Sequence, residues 1–401
     1  MVSSFGWLDT DASQRRQMLE LVDLFKEEGT VDELGIGTIR DVFSDALAPG
    51  TSVLHTRLRY VLFIPWLMQR AAHKSSPAEM LSEFHRLEYS LISGLLAGGE
   101  RQGVLGNRAG NTLKRLPSEA YWASLSQWGI LTVDQSAQTY FRRQHELRAL
   151  ADRSTPADDP HTGSSMPTGI DPHLPPPHEP WLAATDFRLT PTEEQYLSDR
   201  IAAATQGSLL AWLVHHRPNN EADYPWQIDN LAQAPTQLQE LVDYARRFSI
   251  TMRGAALTYN LLLARKSHQD ELIETYTARL GEWRAELTAS GVLESWDRPR
   301  WWSVILRRNA RIRQPTVTFV NAWLDLLSAG EDPATSSAAA DLITSREMRL
   351  KRGRARLVNQ SALDRWSGSS GLGRLTFRWE IARSHLRDLY AARDQYAGSP
   401  S

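Results

Sequence analysis

The sequence has no cysteine, which excludes disulfides and thiolate metal sites and gives no sign of an oxidising compartment. Long apolar runs are missing too: Val61–Met68 is far shorter than a membrane span requires. The opening residues, MVSSFGWLDTDASQRR, lack the basic start and apolar core of a signal peptide. Strand signals are scarce, and no fixed-period repeat stands out. The hydrolytic signatures HxK, HExxH, GxSxG, the Walker lysine and PDxnExK do not occur, and GGERQGVLGNRAG at 98–110 has no GxxxxGK[ST]. These absences predict a cytoplasmic protein with no membrane partner, no cofactor and no metal.

What is present points to helices. The 401 residues, 41% hydrophobic, can bury two or three cores. A first helix is expected from Thr10 or Asp11 to Gly29. Ile39, Val42, Phe43 and Leu47 then recur at helical spacing. After Ala48-Pro49-Gly50, Thr51 or Ser52 is expected to cap a second helix carrying Leu54, Leu58, Val61 and Leu62, making 29–66 a helical hairpin whose far end is buried on all sides. Arg57 and Arg59 before that end need partners, and Asp41, Asp45 or Glu33 across the hairpin are expected to supply them as structural ion pairs. Two other readings are an arginine clamp on a phosphate and a metal held by Asp41, Asp45 and His55.

Capping boxes at Ser76-Pro-Ala-Glu79 and Thr190-Pro-Thr-Glu193 start two further helices. Pro117 opens a helix bearing Tyr121, Trp122, Leu125 and Trp128 on a core-facing stripe that stops at Gly129. More helices are expected over 208–215, 235–248, 257–264, 269–288 and 315–327. Leu375–Trp379 reads as one strand of a hairpin after SGSSGLG. Nine of the twenty prolines fall within 152–191, a linker or extended segment in which His161, His173 and His178 read as solvated. The expected architecture is mainly α and two-lobed: a helical domain over 1–151, the proline-rich segment 152–191, a central helical domain over 192–345, and a basic module at 346–401 packed on it, with at most a small β-hairpin.

GTVDELGIGTIRDVFSDALAPGTSVLHTRLRYVLFIPW at 29–66, SFGWLD at 4–9, LPSEAYWASLSQWGI at 116–130 and RLKRGRARLVNQSALDRWSGSSG at 349–371 together resemble an uncharacterised bacterial family of similar length. Its members look like components of phage-defence gene clusters. The resemblance implies a bacterial antiviral setting and defence proteins as partners, and it assigns no catalytic residue.

The net charge of −2 conceals segregation. Residues 346–387 hold eleven basic and three acidic side chains, and 298–313 hold six arginines and no acid. An acidic body with a cationic surface is the signature of a polyanion partner. Arg346, Arg349, Lys351, Arg352, Arg354, Arg356, Arg374 and Arg378, with Arg307, Arg308, Arg311 and Arg313, are the candidate nucleic-acid contacts. Residues 349, 352 and 356 can share a helical face, and Trp301, Trp302, Trp366 and Trp379 beside the arginines would permit base stacking. The expected function is non-catalytic binding of DNA or RNA phosphates without sequence preference. A cationic face for a protein partner, such as a defence helicase or nuclease, is the first alternative. The second is a metal-independent ribonuclease, because Arg378 and His385 are spaced like the active motif of small helical ribonucleases. HHRPNN at 215–220 resembles a nuclease core only superficially.

Overall fold

A computed structural model of the chain describes residues 32–107, 116–133, 136–154 and 169–397. The expected first helix, SFGWLD, the basic residues 108, 114 and 115, and most of the first half of the proline-rich segment, with His161, lie outside them. Fourteen α-helices occur among the described residues, with no strand and one isolated antiparallel bridge between Leu131 and Ile170.

The chain divides into two compact units, each built from distant segments: residues up to Phe43 with Glu240–Phe377, and Ser44–Gln239 with residues from Arg378 onward. Two of the three junctions between them fall inside α1 (Gly37–Leu47) and inside the 31-residue helix 236–266, and the third lies between Phe377 and Arg378. At the start of α1 the Asp32 carboxylate accepts the Ile36 and Gly37 amides at 2.8 and 2.6 Å, tying up orphan donors.

The second unit is organised around α2 (Tyr60–Ala71), in which every residue from Tyr60 to Met68 is buried. This helix begins eight residues later than Thr51 capping would place it. The amides of Thr56 and Arg57 donate to the Tyr121 hydroxyl at 2.7 and 3.1 Å, and that of Leu58 donates to Asp388 at 2.8 Å. Thr51 spends its own hydroxyl on the Ala48 carbonyl. Remote side chains thus satisfy the backbone that a helix would otherwise satisfy internally. The second half of the hairpin is therefore a loop followed by a shorter helix.

On α2 pack α3 (Pro77–Ala97) and α4 (Pro117–Gln127); α5 (Ala137–Ser154) packs on α3, and α6 (Pro191–Ala204) and α7 (Leu209–His215) pack on each other. Both predicted capping boxes form, at Ser76/Glu79 and at Thr190/Glu193. Residues 152–154 of the proline-rich segment end α5 and Pro191 opens α6, while 169–190 between them have no helix and are anchored by aromatics. Trp181 stacks on Phe63 with 5.6 Å between centroids, and Phe187 is buried.

In the first unit, the two helices expected over 235–248 and 257–264 are one, α8 (Thr236–Lys266). Gly254 does not interrupt it, because a Cβ there would lie 2.2 Å from the Trp283 ring; the glycine lets two helices approach. α9 (Asp270–Ala289), α10 (Arg298–Arg308), α11 (Gln314–Ser328), α12 (Ser337–Lys351) and the short α13 (Gln360–Leu363) complete this unit. Phe43, Phe248, Trp301 and Phe377 form its aromatic centre. Trp283 and Trp323 donate their indole N–H groups to the carbonyls of Ile250 and Thr251.

Residues 375–377 are not a strand. Phe377 and Arg378 take φ of 56° and 62°, which turns the chain into α14 (Trp379–Ala397) of the second unit. No described helix is long and apolar enough to cross a membrane.

Candidate nucleic-acid interface

The basic islands separate into two populations once each cation is followed to its partner. The first population is absorbed by the fold. Arg346 is 5% exposed and donates to the carbonyls of Leu34, Gly35 and Pro315 and to the Thr316 hydroxyl, with its guanidinium over the Phe319 ring. Burial pulls its pKa below the usual guanidinium range, opposed by Asp32 and assisted by Arg349.

Lys351 and Arg356 belong to a buried polar cluster. Lys351 Nζ contacts Glu33, Glu347 at 2.9 Å and the Tyr259 hydroxyl at 3.0 Å. Arg356 reaches Glu33 and Ser370, each at 2.8 Å. The Tyr259 hydroxyl donates to Glu347 at 2.6 Å, and the amides of Arg356 and Leu357 donate to the same carboxylate. Burial alone would raise the Glu347 pKa, but these hydrogen bonds outweigh it and hold the carboxyl below its ordinary range.

Arg374 pairs with Glu286, and Arg378 with Asp45 at 2.7 Å and the Thr51 carbonyl. On α14, Arg383 donates to the Ala222 carbonyl and Arg387 pairs with Glu221. In the other island Arg298 pairs with Asp325, and Arg300 with Glu240. Arg346, Lys351, Arg356, Arg374 and Arg378 are therefore structural, and so are the tryptophans. Trp301 is fully buried, and Trp302, 8% exposed, donates to Asn321 at 2.9 Å. Trp366 and Trp379 are buried as well, so none of the four offers a stacking face.

The second population has no described carboxylate partner. Arg307, Arg308, Arg311, Arg313, Arg349, Arg352, Arg354 and Arg365 are exposed and form no ion pair with a described carboxylate. Arg307 and Arg308 only touch Ser303 and Val304 of their own helix. All eight lie in the first unit, and Arg346 links the segment that follows Arg313 to the helix that carries Arg349. Its guanidinium contacts Pro315 and Thr316, directly after Arg313, while Arg349 follows one helical turn along α12. The shared helical face of 349, 352 and 356 does not form: α12 ends at Lys351, Arg352 takes φ of 51°, and the chain turns through a short 3₁₀ segment. Arg365 was countable in the basic island, but nothing in its local sequence distinguished it from the paired arginines.

Arg57 and Arg59 are paired, though not across the predicted hairpin. Arg57 binds Asp388, and Arg59 binds Asp186 and Glu193. Asp41 pairs with its neighbour Arg40, and Asp45 with Arg378. With these guanidiniums and carboxylates so engaged, neither the phosphate clamp nor the Asp41/Asp45/His55 site has free ligands. Among the described residues no group of three histidines or acids could hold a metal.

His385 is fully buried, stacks near His55 at 5.4 Å between centroids, and has no hydrogen-bond partner on either ring nitrogen. Burial first, then the His55 and Arg57 charges, lower its pKa well below the ordinary range. A fully buried imidazole has no access to a phosphodiester, and the Arg378 guanidinium is tied to Asp45. His216 stacks on Trp212, while Asn219 and Asn220 close a loop on Asp229 and Gln227. The HHRPNN run is thus a capped helix end and a turn.

Fold and surface together define a mainly α-helical protein with exposed arginines on one of its units that no described carboxylate pairs. The chain belongs to a family of unknown function, DUF6361, whose model matches residues 2–393. No curated protein and no solved structure matches it.

Proposed function

We propose that this protein binds nucleic-acid phosphates through the arginine surface of its first unit, as a non-catalytic subunit of a bacterial defence assembly. The observation that carries the reading is the group of eight exposed arginines that no described carboxylate pairs, where most other described arginines are paired. Guanidiniums left in water on a folded surface supply affinity by releasing condensed counterions, and they read charge rather than sequence. The defence setting rests on the family resemblance.

A second reading, a docking face for a protein, is favoured by Leu306, Met348, Leu350 and Val358. These are large apolar residues exposed by 36–47%, and the first three are sequence neighbours of Arg307 or Arg349. Arginine and methionine are enriched at protein interfaces.

The test is fluorescence anisotropy of labelled nucleic acid with the full chain at low salt. Binding is expected, weakened at least tenfold by Arg311→Glu with Arg349→Glu and little changed by Arg387→Glu, whose side chain already pairs with Glu221. Absence of binding to every DNA and RNA probe would leave the protein-docking reading in its place.

A further inference from the structure

The arginine surface of the first unit is assembled from rigid parts, and this bears on which form of nucleic acid fits it. Arg307 lies in the last turn of α10, whose inner face is fixed by the fully buried Trp301 and Ile305. Arg313 is the N-cap of α11, and that helix start is pinned by the Arg346 guanidinium on Pro315 and Thr316. Arg349 stands in the last turn of α12, one turn from Arg346 itself. These cations therefore sit at fixed places on packed helices.

A second feature is the direction of the tryptophans. Binding of single strands draws on bases stacked against exposed aromatic faces as well as on charge. Here the aromatic rings nearest the arginines in sequence turn inward: Trp301 packs between Phe43 and Phe248, and Trp302 spends its N–H on Asn321. The large side chains exposed beside the arginines, Leu306 and Met348, are alkyl and thioether groups without a π-face for a base. The surface thus offers fixed charges and keeps its rings for the core. A duplex, with one phosphate per ~1.7 Å of axis and its bases already stacked on each other, matches that arrangement; a flexible single strand has half the charge density and gains no stacking.

We infer that the ligand of this surface is double-stranded nucleic acid, held by its backbone. The inference rests on the phosphate-binding reading above. The test is anisotropy of the full chain with four labelled 30-mers of one sequence at low salt: single-stranded DNA, single-stranded RNA and the two corresponding duplexes. At least tenfold tighter binding of one or both duplexes is expected, with the DNA and RNA arms deciding which. Arg311→Glu with Arg349→Glu should remove that preference while the helical circular dichroism is unchanged. Single strands bound as tightly as, or more tightly than, both duplexes would overturn the duplex inference and leave phosphate binding intact. No binding in any arm would overturn both.

Discussion

Arg57 and Asp388 clasp each other within the second unit although 331 positions separate them in sequence. Arg57 Nε lies 3.0 and 3.2 Å from the two carboxylate oxygens and Nη2 lies 2.8 Å from one of them. The carboxylate also accepts the Leu58 amide, so the loop before α2 is fastened to α14. Burial raises the Asp388 pKa, and the Arg57 hydrogen bonds and charge only partly offset this.

Arg57→Ala would leave that carboxylate buried without its cation, and we expect a loss of about 2–4 kcal/mol. Arg57→Met with Asp388→Leu should recover part of it, since the desolvation cost disappears along with the pair. Urea denaturation of the two variants checks this; a double variant less stable than Arg57→Ala would contradict it.

His55 and His385 predict acid sensitivity. Burial first lowers the His55 pKa to about 4, against its hydrogen bond to Ala120 and with help from Arg378, and burial also holds that of His385 well below the ordinary range. Both are neutral in the folded chain, whereas in the unfolded chain each takes a proton near pH 6.5. Their contribution is complete above pH 6.5 and is lost as pH falls toward 4, at about 1.4 kcal/mol per pH unit for each proton. His385→Leu should remove one proton from that slope. It should also cost little at pH 7, because two unpartnered ring nitrogens leave the core. Thermal melts from pH 7 to 4.5 read both effects.

Glu88 has the opposite sign. Burial raises its carboxyl from 4.5 to about 7, opposed by hydrogen bonds from Ser118, with a small push from Glu119. The folded chain holds this proton where the unfolded chain has lost it, so the contribution is present below pH 4.5 and disappears as pH rises through 7. Glu88→Gln, which can still accept the Ser118 amide, should stabilise the protein at pH 8 by up to about 3 kcal/mol and change little at pH 4.5. Equal melting shifts at both values would refute the assignment.

Tyr259→Phe removes the hydroxyl that donates to Glu347 and accepts from Lys351. A loss of about 1–3 kcal/mol is expected, because a buried acceptor and a buried donor each lose a partner. Nucleic-acid binding should not change, since this cluster faces inward; a parallel loss of binding would place it in the interface instead.

Local chemistry was legible in the sequence wherever neighbours in the chain decide the outcome. Ser76/Glu79 and Thr190/Glu193 form their capping boxes, and the Tyr121, Leu125 and Trp128 stripe is buried. Outcomes set by remote partners were not legible. Nothing near Thr51 announces that Tyr121 and Asp388 will take the amides of residues 56–58, and nothing near Gly254 announces the Trp283 ring. The same holds for the surface. Arg349 and Arg356 stand in one basic run, yet Glu33 neutralises one and no described acid meets the other. Charge counting finds the island, and only the fold separates its free cations from its structural ones.

The most direct measurement is the salt dependence of duplex binding by the full chain, taken alongside a variant with Arg307, Arg311, Arg349 and Arg354 changed to Gln. If most of the eight free arginines meet phosphates, log K should fall against log salt with a slope of about −5 to −7, and the variant should flatten it by about 0.9 for each contact removed. A slope shallower than about −2, or the same slope in both proteins, would contradict phosphate binding by this surface.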